Sequence, residues 1–488
     1  MTSKKIIGNV VFDENDKIYT EKTNADHVLY RGTIMEDFDK LIDNRVVVKS
    51  IDLKSKGEKP RERELQALKS LRHPNIIYCH GIKFGKSRWY FVLDFYPFSL
   101  YDVIELYDKK DENAKYFEAD RIKILKQLAD GLGYLHDSKI IHRNLKPTKV
   151  LLKEDFIGNI VAAISDFGFS KKLDKGNECS FAGKDMGPIG WMAPEIENEK
   201  THDFSADIFS LGCLAYYMFT DGRCLFAIEN HDENFPRIMQ DNINKNKSKI
   251  VKDQMFELDT KYTDDIYSTF CIISSMVEHE EDKRPSAKDI KFHPLFWKAD
   301  RKLKFIKTVR NVEKIERKTK EWPKKVINAL EKKAKDHKAE DDKAKEYIYV
   351  DVTGKSFNNW IDMIRVDKIY PHLGEKFAEY VFNASIKFVE SDNNKTQPPM
   401  TESDPKSTYG YHRREICYLL RLIRNFNEHK EHNFKLDDGI TCFTKIFPKM
   451  LVEVYKTMEQ FKDEYTDLKE FYPNELGNLT KKLGQLSF

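Results

Sequence analysis

Residues 140–152 read IIHRNLKPTKVLL, and the reading of this stretch decides the fold. Two apolar runs enclose a polar loop rich in basic and amide groups. The chain differs in kind on the two sides of this region. Over residues 1–96 the runs NVVF, HVLY, RVVVKSI and WYFVLDF are β-branched or aromatic and bounded by polar turns, which predicts strands. One helix is predicted among them, around RERELQALKSL. Over residues 97–299 the spacing turns helical: RIKILKQLADGLGYLH, DIFSLGCLAYYMF and STFCIISSMVE repeat apolar residues every three or four positions.

A small β-rich lobe before a larger helical lobe resembles the protein kinases, and the motifs carry the resemblance further. In VVVKSI, Lys49 stands on a third strand, where a kinase lysine meets the α/β phosphates and pairs with a helix glutamate. Glu64 is placed for that pair. SDFG gives Asp166, the residue expected to ligate magnesium. WMAPE gives Glu195 and DKRPS gives Arg284, expected as a structural ion pair. Asp207 in SADIFSLG is expected to order the catalytic loop. Five matches in order and in spacing imply a kinase fold. The segment Asp94 to Tyr96 then corresponds to the hinge that offers backbone hydrogen bonds to a nucleotide base.

Within the opening stretch two residues depart from that pattern. Asn144 stands where a kinase places its catalytic carboxylate, and Lys149 where it places a metal-binding asparagine. An amide accepts no proton, and loss of a general base costs roughly 10²- to 10⁴-fold. A cation at 149 repels Mg²⁺. The phosphate-covering loop has no glycine before Gly32, which compromises close backbone approach to phosphates. These departures predict a pseudokinase. Lys49, Glu64 and Asp166 leave room for ATP or ADP, with Mg²⁺, as a regulatory ligand. The alternative is a Lys49–Glu64 pair that is structural alone.

The chain has 488 residues, enough for two or three domains, and a net charge of +3, so it is not a nucleic-acid magnet as a whole. Its seven cysteines are odd in number and form no C-x-x-C pair, which argues against zinc sites and a disulfide framework and for a reducing, cytoplasmic compartment. No signal-peptide pattern is seen, and no apolar run approaches the roughly 20 residues that span a bilayer. The longest, LGCLAYYMF, reads as a buried helix.

From Arg301 to Lys345 there are seventeen Lys or Arg against eight Asp or Glu. Trp322-Pro323 divides this segment into two predicted helices. It is either a solvated helix face with i,i+4 pairs or a basic surface that attracts phosphate backbones. Residues 300–475 are expected to form a separate helical domain, with 476–488 as a tail. In YGYHRREICYLLRLIRNFNEHKEHNF, residues 409–434, one helical face carries Ile416, Leu419, Leu420, Ile423 and Asn427. At 100° per residue, Asn425 and His429 project together opposite that face, with Arg424 between the two and Tyr411 preceding the helix. An imidazole that titrates near neutrality, a guanidinium, an amide and a phenol suit metal-free phosphodiester cleavage, because the RNA 2′-hydroxyl is its own nucleophile. Such an edge is equally the ordinary polar face of a helix.

From residue 6 to 475 the chain resembles the kinase-plus-nuclease family of ribonuclease L and the inositol-requiring enzyme that senses unfolded proteins. The stretches IGNVVFDENDKIY…VLYRG, KRPSAKDIKFHPLFW, WIDMI from Trp360, RNFNEH and CFTKIFPKMLVEVYKTM carry the likeness. Tyr411 falls where the inositol-requiring enzyme has its catalytic tyrosine. The resemblance implies an α+β architecture: a bilobal kinase fold followed by an all-α ribonuclease extension. It implies endoribonuclease activity without metal that leaves a 2′,3′-cyclic phosphate, with RNA as substrate. It also implies a homodimer, or a higher homo-oligomer, as the active state, favoured by nucleotide in the kinase site. Tyr418 departs from the family's acidic residue six before Arg424, which bears on dimer geometry or substrate positioning. Nothing resembles an ankyrin array, a lumenal domain or a membrane helix, so no activating signal is implied.

Three readings follow: an endoribonuclease controlled by a pseudokinase, a residual kinase acting on itself at Ser170 or Ser180, and a binding protein built from two degenerate domains.

Overall fold

The computed structural model describes residues 4–18, 27–35, 44–53, 58–106, 121–173, 188–197, 203–227, 235–246, 265–315 and 449–472, together with 326, 329, 420 and 423. Its contacts separate into two units, one drawn from Met1–Thr263 and Ile272–Lys291, the other from Asp264–Cys271 and Phe292–Leu476.

The first unit opens with strands β1 (Lys4–Ile7), β2 (Val10–Ile18), β3 (His27–Ile34) and β4 (Arg45–Asp52), helix α1 (Glu58–Ser70), then β5 (Cys79–Phe84) and β6 (Arg88–Asp94). These strands form one sheet in the order β1-β2-β3-β4-β6-β5, every pairing antiparallel. Side chains alternate faces along a strand. Val46 and Val48 of β4 enter a core with Ile7, Val10, Phe12, Tyr30 and Val92. Lys49 therefore points to the opposite face. Gly32 is explained by the same core: a Cβ there would meet Val48 Cγ2 at 3.1 Å and Val46 Cγ2 at 3.2 Å, so this glycine serves close packing. In α1 the buried residues Arg61, Glu64, Ala67 and Leu68 follow helical spacing, which turns Glu64 inward.

After β7 (Phe98–Ser99) comes α2 (Arg121–Asp137), then β8 (Ile140–Ile141), β9 (Val150–Glu154), β10 (Ile160–Ile164) and β11 (Lys171–Lys172). Strands β10, β9 and β7 form one small sheet, and β11 pairs with β8 in another. Helix α3 (Ser205–Phe219) contains LGCLAYYMF, and all of its residues are buried, as the apolar run predicts. Arg284 and Glu195 form the expected pair, with guanidinium nitrogens 2.6 and 2.8 Å from the two carboxylate oxygens.

Helix α4 (Ile266–Met276) contributes its first turns to the second unit, with α5 (Ala299–Ile315) and α6 (Met450–Glu459). Trp297, Phe305, Tyr455, Phe471 and Tyr472 make an aromatic core in which the Trp297 ring lies 5.1 Å from Phe305 and 5.4 Å from Tyr455. Such edge-to-face pairs add to simple burial. Tyr472 closes it by donating its hydroxyl to the Tyr455 carbonyl at 2.7 Å. The basic run beginning at Arg301 starts as an amphipathic helix: Leu303, Phe305, Ile306, Val309 and Val312 are buried. Its cations reach across the fold instead of along the helix. Lys302 pairs with Asp265 at 3.2 Å and Lys304 with Glu470 at 2.6 Å. The break at Trp322-Pro323 lies outside the described residues. No helix among the described residues is long and apolar enough to cross a membrane.

Candidate functional site

Three segments bring charge together on the face of β4 opposite its apolar core. Lys49 Nζ lies 2.7 and 2.8 Å from the two oxygens of Glu64, with both side chains almost wholly buried (9% and 5% exposed). Asp166 stands behind them, its Oδ1 3.8 Å from Lys49 Nζ. Burial works against charge on each of these groups. On Lys49 the two carboxylates outweigh it, and the ammonium is held above its usual pKa. On Glu64 burial wins and the pKa rises as well, against the opposing pull of the Lys49 ammonium. Burial alone would raise Asp166, but the ammonium groups of Lys49 and Lys149 hold it well below the usual carboxylate range.

The contact that the sequence leaves unannounced is the one between Lys149 and Asp166. Nζ sits 2.6 Å from Oδ2, and each side chain is about one fifth exposed (20% and 21%). Asn144 adds its amide nitrogen to the same oxygen at 3.4 Å. The departures at 144 and 149 therefore converge on one carboxylate. Two of the three nitrogens around Asp166 are cationic. The backbone at Asp166 is left-handed (φ 68°), a conformation that aspartate tolerates better than most residues.

The loop carrying Asn144 is held from below. Asp207 accepts the backbone N–H groups of His142 at 2.8 Å and Arg143 at 2.9 Å, and its Oδ2 lies 3.1 Å from His136 Nε2. Burial opposes its charge, but these donors keep its carboxyl low. Arg143, itself left-handed, donates Nε to the Phe169 carbonyl at 2.6 Å. His142 is buried and its pKa is pushed down. Its ring sits between the Ser165 carbonyl, 3.0 Å from Nε2, and the Asn144 N–H, which donates to Nδ1 at 3.3 Å. The loop geometry expected of a kinase is present without its catalytic carboxylate.

At the hinge segment, Asp94 is already engaged. Its carboxylate meets His80 Nε2 at 2.7 Å and Lys153 Nζ at 3.2 Å, and its N–H donates to the Tyr78 carbonyl at 3.0 Å. Lys153 also lies 4.5 Å from the centre of the Tyr96 ring, whose phenol is pushed up by burial. The base-binding groups at this segment therefore exclude the Asp94 N–H.

A kinase domain implies ATP with Mg²⁺ on Asp166. The donors here do not fit the metal. Mg²⁺ requires near-octahedral oxygen ligands at 2.0–2.1 Å. Lys149 occupies Oδ2 and has no lone pair to offer. No group of three His, Cys, Asp or Glu among the described residues could hold a metal ion. A Mg²⁺ on Asp166, as expected from the sequence, would have to share that carboxylate with the Lys149 ammonium.

Ser170, considered as a phosphorylation target, is turned away from solvent. It is buried at 3% exposure, and its hydroxyl donates to the Phe167 carbonyl at 2.7 Å. Ser180 lies outside the described residues, as do Tyr411, Arg424, Asn425 and His429. Two neighbours of that last group are described. Leu420 and Ile423 are both helical and fully buried, as a core-facing stripe requires.

Comparison with known proteins places these two regions in order. Residues 31–296 match the family model described as the protein kinase domain, and residues 383–472 match that described as ribonuclease 2-5A. A rice protein, "Serine/threonine-protein kinase/endoribonuclease IRE1", is 28% identical over 421 residues, covering 82% of this chain and 39% of its own. The Caenorhabditis elegans "Serine/threonine-protein kinase/endoribonuclease ire-1" is 32% identical over 295 residues, 59% of this chain and 28% of its own. An Arabidopsis thaliana "Inactive serine/threonine-protein kinase/endoribonuclease IRE1-like" is 26% identical over 423 residues, 78% and 65%. The chain thus spans less than two thirds of each of these relatives.

Proposed function

Since this chain belongs to the protein kinase family, in the branch that joins a kinase domain to a 2-5A-type ribonuclease domain, we propose that it is an endoribonuclease carried on a pseudokinase scaffold. What supports the nuclease reading is the ribonuclease match over residues 383–472, within which Leu420 and Ile423 are buried at the spacing of an apolar stripe. The sequence pattern predicts a helix there, on which 100° per residue sets Asn425 and His429 about 170° and 150° from the Leu420–Ile423 direction and Arg424 about 70° from it. That predicted helix offers an amide and an imidazole away from its apolar stripe, with a guanidinium at the edge.

The chemistry needs no more than these groups. The RNA 2′-hydroxyl attacks its own phosphorus, and the 5′-oxygen of the next nucleotide leaves. A 2′,3′-cyclic phosphate remains. His429 moves a proton between these oxygens, as an imidazole titrating near neutrality does best. Arg424 stabilises the charge that grows on the phosphoryl oxygens. Asn425 orients the phosphate or ribose, and Tyr411 positions a proton from the N-terminal side. The kinase half transfers no phosphate, because Asn144 cannot take the hydroxyl proton and Lys149 fills the metal side of Asp166. Its role is to bind nucleotide and favour a homodimer, or a larger homo-oligomer, in which cleavage occurs. The thiols of Cys79, Cys213 and Cys271 suit a reducing, cytoplasmic setting.

Structured RNA incubated with the purified chain in EDTA, over a range of protein concentrations, tests this reading. The expected result is cleavage that rises more steeply than protein concentration and leaves cyclic phosphate ends. RNA that stays intact at the highest concentration overturns it.

A further inference from the structure

Lys149 is not a surface lysine that happens to point inward. Its carbonyl accepts both the N–H of Ser165 at 2.9 Å and the Ser165 hydroxyl at 3.0 Å, and its N–H donates to Lys146 O at 2.9 Å. The residue that anchors the backbone of Lys149 is the neighbour of Asp166. The ammonium is thus placed by two adjoining backbones, at 2.6 Å from Oδ2 and opposite the side taken by Lys49. Lys49, Lys149, Glu64 and Asp166 sum to zero charge. An added dication would have to displace one ammonium while lying near the other. Polyphosphate oxygens meet no such obstacle. Of the three N–H donors on Lys149, the Asp166 contact uses one, and charge-assisted bonds from ammonium to phosphate are among the stronger hydrogen bonds.

We propose that Lys149 is a built-in substitute for the divalent cation of this pocket, so that the site takes a nucleoside diphosphate without metal. The inference rests on the nucleotide-binding reading given above. Asp166, which a metal would otherwise hold, becomes the group that positions the ammonium. Position 149 is then a specificity determinant: it selects free nucleotide over the magnesium complex.

Calorimetric titration of the full chain with ADP, once in EDTA and once in excess Mg²⁺, tests the proposal. The affinity in excess Mg²⁺ is expected to be no higher than in EDTA, because Mg²⁺ draws ADP into the complex that the site does not select. Lys149→Arg keeps the charge and should keep metal-free binding. Lys149→Met should weaken binding in EDTA by about tenfold or more. Lys149→Asn exchanges a cation for a metal-ligating amide, so its ADP binding should come to require Mg²⁺. Electron paramagnetic resonance should then show Mn²⁺ held in the ADP complex of that variant and not in that of the wild type. A wild-type affinity that rises about tenfold or more with Mg²⁺, or Mn²⁺ held in the wild-type ADP complex, overturns the substitution. Absence of ADP binding in both conditions overturns the nucleotide reading itself, and this proposal with it.

Discussion

Replacing Arg284 by methionine tests whether the kinase half is a scaffold with native rigidity or a relic. The guanidinium has no solvent exposure, and Glu195 is 7% exposed. It donates to both carboxylate oxygens at 2.6 and 2.8 Å, and to the carbonyls of Glu278 at 2.6 Å, His279 at 3.0 Å and Ser205 at 3.2 Å. It also lies 5.0 Å from the centre of the Phe209 ring. Arg284→Met leaves the Glu195 carboxylate buried without its counter-charge, a change that costs about 3–5 kcal/mol. A domain is stable by about 5–15 kcal/mol in total, so about a fifth or more of that is lost. With a urea dependence of about 2–3 kcal/mol per molar, the midpoint falls by about 1–2.5 M. Adding Glu195→Leu removes the stranded charge and should recover about 2 kcal/mol of the loss, since apolar replacement of a whole buried pair is often close to neutral. Equilibrium urea unfolding of the full chain, followed by tryptophan fluorescence and circular dichroism, reads both effects. A midpoint shift below about 0.3 M for the single variant, or a double variant less stable than Arg284→Met, refutes the reasoning.

Two further outcomes are expected. His293 is fully buried, and burial, with Lys456 and Lys302 nearby, pushes its pKa down from 6.5 to about 3. Between those values the unfolded chain binds a proton there and the folded chain does not, so stability present above pH 6.5 is lost as pH falls, by up to about 4–5 kcal/mol at the low end. His293→Asn keeps an acceptor for the Leu295 N–H, which the His293 ring receives at 3.3 Å, and should flatten thermal stability over that window. Asn144→Asp should not restore phosphotransfer, because Lys149 still holds Asp166; radiolabelled phosphate should stay off the protein.

The sequence announces the parts of this protein that depend on local pattern. Alternation in VVVKSI separates Val46 and Val48 from Lys49, and three-and-four spacing in α1 puts Glu64 on its buried face. The loop anchor Asp207 and the Arg284–Glu195 pair follow from kinase motifs, and each is seen with its hydrogen bonds. What stays hidden depends on chain segments distant in sequence. Lys149 could be read as a cation that repels metal, but its contact with Asp166 forms only when the two strands β9 and β10 pair. Ser170 looks like any loop serine until the fold buries it. The charges from Arg301 onward suggested pairs along a helix, whereas Lys302 and Lys304 find Asp265 and Glu470 across the second unit. At the ribonuclease helix the apolar spacing foresaw the burial of Leu420 and Ile423. The proposed roles of Arg424, Asn425 and His429 rest on the apolar spacing and on their chemistry, and that of Tyr411 on the family resemblance.

The most direct measurement compares RNA cleavage by the wild type and by His429→Ala in EDTA, with thermal midpoints recorded for both. If this imidazole moves the proton, cleavage falls roughly 10²- to 10⁴-fold while the midpoint is unchanged. A His429→Ala protein that is equally stable and cleaves RNA at the wild-type rate contradicts the account.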